Sequence, residues 1–185
     1  MGEIRYISPS ESSLTLDDAI NISILAGDLF QRNSKEVLAR NGNFESKGKY
    51  TPNQLSGYSN LFRPAAIMKL RIDPNSSILA YDQSRLIGAG ITEKEPYALG
   101  PKDTIILGLF SENSEQGMNS REVILERIVS ELTSRQAERA HSYIPLFESE
   151  KEWFNKKGFK EVKKALTNTV FPAETLQMAL ELRRK

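Results

Sequence analysis

Residues 3–8 (Glu3-Ile4-Arg5-Tyr6-Ile7-Ser8) alternate apolar and polar side chains, which predicts a short strand broken by Pro9 and the serines after it. Thr15 with Asp18 three residues on marks a helix start. Leu16, Ala19, Ile20, Ile24, Leu25, Leu29 and Phe30 then recur at helical spacing, so residues 16–31 are expected to form an amphipathic helix. A second, short helix is expected over 34–40, stopped by Asn41-Gly42. The stretch 42–64 holds Gly42, Gly48, Gly57, Pro52 and Pro64, and reads either as a functional lid or as a loop with a short helix near 53–62. Residues 65–72 fit helix or strand, with Pro64 favouring a helical first turn.

Two apolar runs, 78–81 and 86–91, predict a hairpin joined at Asp82-Gln83-Ser84. A loop follows over 94–102, then a buried type of strand over 104–110. A polar connection, 111–118, leads into a helix whose Val123, Ile124, Leu125, Ile128, Val129 and Leu132 form one broad face. Residues 142–147 predict another strand, 150–157 a short helix stopped by Gly158, and 161–171 and 176–182 two closing strands split at Pro172. This order of strand, helices, three strands, helix, strand, helix and two strands predicts a mixed α+β sandwich with a central mixed sheet of six to seven strands. It carries neither a glycine-rich dinucleotide fingerprint nor a P-loop.

Composition narrows the chemistry. The 185 residues fit one domain and are long enough to bury a core. Lys plus Arg number 25 against 24 Asp plus Glu, so no polybasic footprint speaks for nucleic acid. No apolar stretch is long enough to span a membrane, and the first residues carry no apolar signal core, which points to a cytoplasmic protein. With no cysteine, thiolate nucleophiles, disulfides and thiolate metal sites are excluded. The single histidine, His141, excludes metal sites built on two imidazoles, and no metal site is expected. His141 reads as a surface or capping residue rather than a catalyst.

The stretches from Ser77 to Asp82 with Leu86 to Gly90, and from Trp153 to Phe159, resemble parts of the GNAT superfamily of acyl-CoA N-acyltransferases. Ser77-Ile78-Leu79-Ala80-Tyr81-Asp82 followed by Leu86-Ile87-Gly88-Ala89-Gly90 is similar to that family's second and third strands. Trp153-Phe154-Asn155-Lys156-Lys157-Gly158-Phe159 is similar to its last-helix ending, an aromatic residue followed by Tyr-Glu-Lys-Leu-Gly-Phe. The resemblance runs over about 3–182. It implies one domain, with 1–75 as the helical acceptor side, 76–138 as central strands and CoA helix, and 139–185 as the closing strands and helix. Parallel strands that splay apart would take the pantetheine arm, and the next helix N-terminus its diphosphate.

The family writes that helix start as Gln or Arg, two residues, Gly, one residue, then Gly or Ala. Register set by the helix's apolar face puts Gln116 on the first position, Asn119 on the first glycine and Arg121 on the second, with Gly117 and Ser120 between. The same residues also read as a plain helix start, Asn119 capping with Glu122 three on. Arg121 would either contact a phosphate or block the approach.

The resemblance further implies acetyl transfer from acetyl-CoA to a primary amine on a small molecule or protein, by direct attack. The carbonyl-polarising amide would lie at Leu109, Phe110 or Ser111. Glu93 and Glu112 are the candidate bases, with Glu95 behind them, and each is otherwise a solvated carboxylate. The family's acid, a tyrosine, falls on Phe154, which holds no proton to give; packing is its simpler role. Tyr50 and Tyr58 fall where a roof over the acceptor would lie. Lys156, Lys157, Lys160, Lys163 and Lys164 read as a solvated face or as attraction for CoA phosphates. A homodimer through the terminal strands is compatible with the resemblance. The competing reading is a catalytically degenerate domain of the same fold that binds CoA or a protein partner.

Overall fold

A computed structural model describes residues 3–10, 14–32, 72–93, 100, 102–145, 147–165 and 175–182. The expected helices at 34–40 and 53–62, the lid, Tyr50, Tyr58, Glu95 and most of 65–72 lie outside them. In chain order the elements are β1 (Ile4–Ile7), α1 (Leu16–Arg32), β2 (Ile78–Asp82), β3 (Arg85–Thr92), β4 (Asp103–Ser111), α2 (Glu115–Ser134), β5 (Arg139–Pro145), α3 (Glu148–Lys156), β6 (Lys160–Ala165) and β7 (Thr175–Glu181). The strands form one seven-stranded sheet, ordered β1-β2-β3-β4-β5-β7-β6. Every pairing is antiparallel except β4 with β5. The expected mixed sheet flanked by helices is therefore present.

The sheet separates two cores. On one face Ile124, Leu125, Ile128 and Leu132 of α2 pack with Ala80, Ile106, Leu109, Ile144, Phe154, Phe159, Leu176 and Met178. On the other, α1 packs on β3 and β4 through Ala19, Ile22, Leu25, Ala26 and Leu29. The buried stripe of α1 differs from the expected one, because Ile20 and Ile24 are half-exposed and Ile22 takes their place. Positions 19, 22, 26 and 29 lie three and four apart, so they share one face that 20 and 24 flank. Thr15 caps α1 as expected: its hydroxyl accepts from the Asp18 N–H, and the Asp18 carboxylate accepts from the Thr15 N–H and hydroxyl. α3 starts two residues earlier than expected, at Glu148, and ends before Gly158 at φ +90°.

α2 is the larger correction. Its N-cap is Ser114, not Asn119, and the helix begins at Glu115. The Ser114 hydroxyl accepts from the Gly117 N–H at 3.0 Å. Asn119 is an exposed residue already inside the helix. β4 runs to Ser111, so only Glu112, Asn113 and Ser114 separate strand from helix.

Candidate functional site

β4 and β5 are paired from Asp103 opposite Arg139 to Ile106 opposite Ser142, and no further. β4 continues to Ser111 against β3, and β5 to Pro145 against β7. Residues 107–111 and 143–145 therefore face each other across a gap without a ladder. The parting begins beside a bulge. Ile91 pairs with Gly108 but Thr92 pairs with Ile106, which leaves Leu107 as the extra residue on β4. A bulge bends its strand and sharpens the local twist, which turns β4 away from β5.

The Glu112 N–H donates to the Ile87 carbonyl on β3 at 3.0 Å. Backbone groups alternate along a strand, so Phe110 and Gly108 also turn toward β3, while Leu109 and Ser111 turn their backbones into the gap. Of the three residues expected to carry the polarising amide, Leu109 and Ser111 are so placed and Phe110 is not. The Phe110 side chain is buried in the α1 core.

At the head of α2 stands a carboxylate of the chain itself. Glu112 Oε1 accepts from the Ser114 hydroxyl at 2.7 Å, and Oε2 accepts from Arg85 at 2.7 Å. A Cβ on Gly117 would lie 2.4 Å from the Glu112 carbonyl oxygen and 2.7 Å from its Cγ, so this close approach requires glycine. The Gly117 and Met118 N–H groups are already engaged by the Ser114 hydroxyl and carbonyl. Ser120 is buried and bonds back to the Gln116 carbonyl at 2.8 Å. Glu112 is thus held at the helix end by Ser114 and Arg85.

Arg121 does not reach toward a phosphate. Its guanidinium is buried, holds both oxygens of Glu150 at 2.9 and 2.5 Å, and lies 4.2 Å above the Trp153 ring. Phe154 packs edge-on between Trp153 and Phe159 with ring centroids 5.1 and 5.0 Å away, the packing role expected of it. Lys157 pairs with Glu122 at 2.9 Å.

The face of the sheet opposite α2 carries an unexpected polar cluster. Ala140 and Ile144 belong to the α2-side core, so alternation puts His141 and Tyr143 of β5 on the other face. Gln177, between Leu176 and Met178, lies beside them on β7. Ile91 belongs to the α1-side core, which puts Glu93 on this same face at the end of β3. His141, Gln177 and Glu93 are all buried, so neither Glu93 nor His141 is the solvated residue expected from sequence. The Gln177 side-chain amide lies 3.1 Å from His141 Nδ1. Donation from that amide, the assignment the network favours, leaves the proton on Nε2, which faces Asp103 at 3.4 Å. Asp103 also faces Arg139 at 3.5 Å and accepts from the Gly100 N–H. His141 Nε2 and Gln177 Oε1 remain buried without a hydrogen bond among the described residues. Burial and the negative charge of Glu93 together raise the Tyr143 phenol above its ordinary range.

Sequence reasoning missed Tyr143 and Gln177. The signal was present in the alternation of Ala140, Ser142 and Ile144 with His141 and Tyr143, which puts two polar rings on one face of an interior strand. Among the described residues no group of three or more His, Asp or Glu side chains is placed to hold a metal ion, and no helix is long and apolar enough to cross a membrane.

Solved structures share this architecture. A GNAT-family acetyltransferase from Staphylococcus aureus superposes at TM-score 0.59 with 11% identity, covering 98% of this chain and 100% of its own. The PaiA N-acetyltransferase from Thermoplasma acidophilum, solved with coenzyme A, gives 0.55 and 15% over 97% and 99%. The fold is that of the GNAT acetyltransferases. The ribosomal-protein-S18-alanine N-acetyltransferase from Escherichia coli gives 0.56 and 11% over 97% and 94%. No protein-family model matches the sequence, and no curated protein does.

Proposed function

We propose that this protein is an acyl-CoA-dependent N-acetyltransferase that moves acetyl from acetyl-CoA to a primary amine by direct attack. The observation that carries this reading is the parting of β4 and β5 at Ile106 and Ser142, beside the Leu107 bulge. An extended arm entering that gap can pair with the strand edges, as added strands do elsewhere. The backbones of Leu109 and Ser111 face it, and an N–H aimed at a thioester oxygen stabilises the charge that develops there. Glu93 is the base of this reading, a carboxylate on the sheet face from which an amine would approach.

The chain's own residues fit the arm better than the diphosphate. The helix end that would receive phosphate already faces Glu112, and like charges there repel. Glu112 retains partial exposure and an Arg85 partner that is 62% exposed, so the carboxylate has room to turn outward with that arginine. The acceptor is an amine on a small molecule or a protein, and the setting is cytoplasmic.

A melting experiment with acetyl-CoA, followed by thiol release in the presence of amines, tests this. Ligand at about 100 times its Kd adds ~2.7 kcal/mol, a rise of roughly 5–10 °C for a chain of this size. No shift at millimolar acetyl-CoA overturns the reading. A shift without thiol release favours the second one, a module that binds CoA or a protein without turnover. The observations on its side are the buried Arg121 and the absence of a hydroxyl at Phe154.

A further inference from the structure

We propose that Tyr143 is the proton donor to the leaving sulfur, an inference that rests on the acetyl-transfer reading. Amine attack on a thioester expels a thiolate, and a placed acid assists that departure. The end of α3 offers none: Phe154 has no hydroxyl and is enclosed by Trp153 and Phe159. Tyr143 is the first residue of β5 beyond the last β4 pairing, opposite the bulged Leu107 where the gap opens. A reacting thioester in that gap would lie beside it.

The other described tyrosines that could be weighed are committed elsewhere. Tyr81 donates to Asp18 near the head of α1, and the Tyr6 ring lies under Arg127 on the edge strand. Tyr143 is half-buried and adjoins Gln177 in the β5–β7 register. Among the described residues, the charged and titratable groups on its face include Glu93 toward β3 and, down β5, His141 with Asp103, Arg139 and Glu181 beyond it. Burial and Glu93 keep the phenol protonated through the neutral range, the state an acid needs.

The step balances without a further reactant. Glu93 takes one proton from the ammonium. The freed nitrogen pair forms the C–N bond while the C–S bond breaks and its pair stays on sulfur. The Tyr143 proton passes to that sulfur, giving the thiol. The proton that nitrogen sheds after attack refills the phenolate. One amine and one thioester become one amide and one thiol, and the proton on Glu93 leaves to solvent.

The test compares wild type with Tyr143→Phe, using acetyl-CoA with a diamine and with short peptides bearing free amino termini. The expected result is an unchanged acetyl-CoA melting shift, an amine KM within about twofold, and a kcat lower by about 100-fold or more. Replacement of Tyr143 by 3,5-difluorotyrosine, a more acidic phenol of nearly the same shape, should move the alkaline limb of kcat to lower pH. A phenylalanine variant with kcat within about threefold of wild type overturns the assignment and leaves the acetyl-transfer reading intact. Should that variant fail to fold, an unmoved alkaline limb in the difluorotyrosine protein overturns it instead. Absence of thiol release by the wild type with every amine overturns the reading and the assignment together.

Discussion

Arg121 and Glu150, 29 residues apart, close a two-pronged ion pair that ties α2 to α3 with only 2% and 7% of their side chains exposed. Trp153 covers the guanidinium, and the geometry is the paired fork that suits arginine and not lysine. The pair turns a candidate ligand contact into an internal joint between α2 and α3. Glu150→Ala should strand a buried cation and cost about 3–5 kcal/mol. That is a melting decrease of roughly 10 °C, read by scanning calorimetry. Arg121→Met combined with Glu150→Leu should recover most of it, because apolar packing can replace a buried pair at little loss. A single variant that melts like wild type would show that the joint carries no weight.

Gly117→Ala tests the approach of the 112–114 connection to α2. The added methyl meets the Glu112 carbonyl at 2.4 Å, backbone that cannot swing aside. The connection must shift, at a cost of about 1–3 kcal/mol, and the Ser114 cap shifts with it. A lower urea midpoint with an unchanged slope is the expected outcome. An unchanged midpoint would mean that the strand-to-helix connection adapts freely.

These two residues also mark what a sequence can and cannot convey. The β2–β3 hairpin, the α2 face of Ile124, Leu125, Ile128 and Leu132, and the stop at Gly158 were all legible because each depends on local periodicity or on one backbone angle. The start of α2 was not. Ser114 and Asn119 are both acceptable caps, and the choice falls to Ser114 because β4 extends to Ser111 and Glu112 packs on Gly117. The stripe of α1 shifted for a similar reason: Ile20, Ile22 and Ile24 are equally apolar, and only contact with β3 and β4 selects Ile22. The Leu107 bulge is a matter of register between β3 and β4, with no residue of its own to announce it. The partner of Arg121 lies too far along the chain for any local motif to name. At the site, Glu112 and Arg121 are held by partners of the chain itself, while Glu93 is buried on the face that carries His141 and Tyr143.

Glu112→Gln separates the two roles a carboxylate at the head of α2 can play. Its removal costs the fold little, since Arg85 is 62% exposed and such pairs are worth about 0–1 kcal/mol. It leaves the positive end of the helix facing an uncharged amide instead of an anion. Coenzyme A should then bind about three- to tenfold more tightly, by calorimetric titration, and the gain should shrink as salt rises. Weaker binding by this variant would mean that Glu112 holds the site in shape rather than competing for it.

The acid and alkaline limits of stability should converge on one contact, the Tyr81 hydroxyl donating to Asp18 at 2.5 Å. Burial alone would raise the Asp18 carboxyl, but the bonds from Tyr81 and Thr15 outweigh it and hold the group below its usual range. A depressed carboxyl stabilises the fold above its unfolded value, near 3.8, and that contribution fades as pH falls through the lower folded value. Tyr81 shifts the other way: burial and then the Asp18 carboxylate push its phenol well above 10.0. A raised phenol contributes fully below its unfolded value and loses the contribution as pH climbs beyond it. The window of full benefit therefore runs from about pH 5 to about pH 9, within these two limits. Tyr81→Phe should lower the melting temperature most inside that window, and the loss should shrink as pH falls through the depressed folded value of Asp18 and the carboxyl protonates. Melting curves that stay parallel while the carboxyl protonates would show that the phenol and carboxylate do not interact in solution.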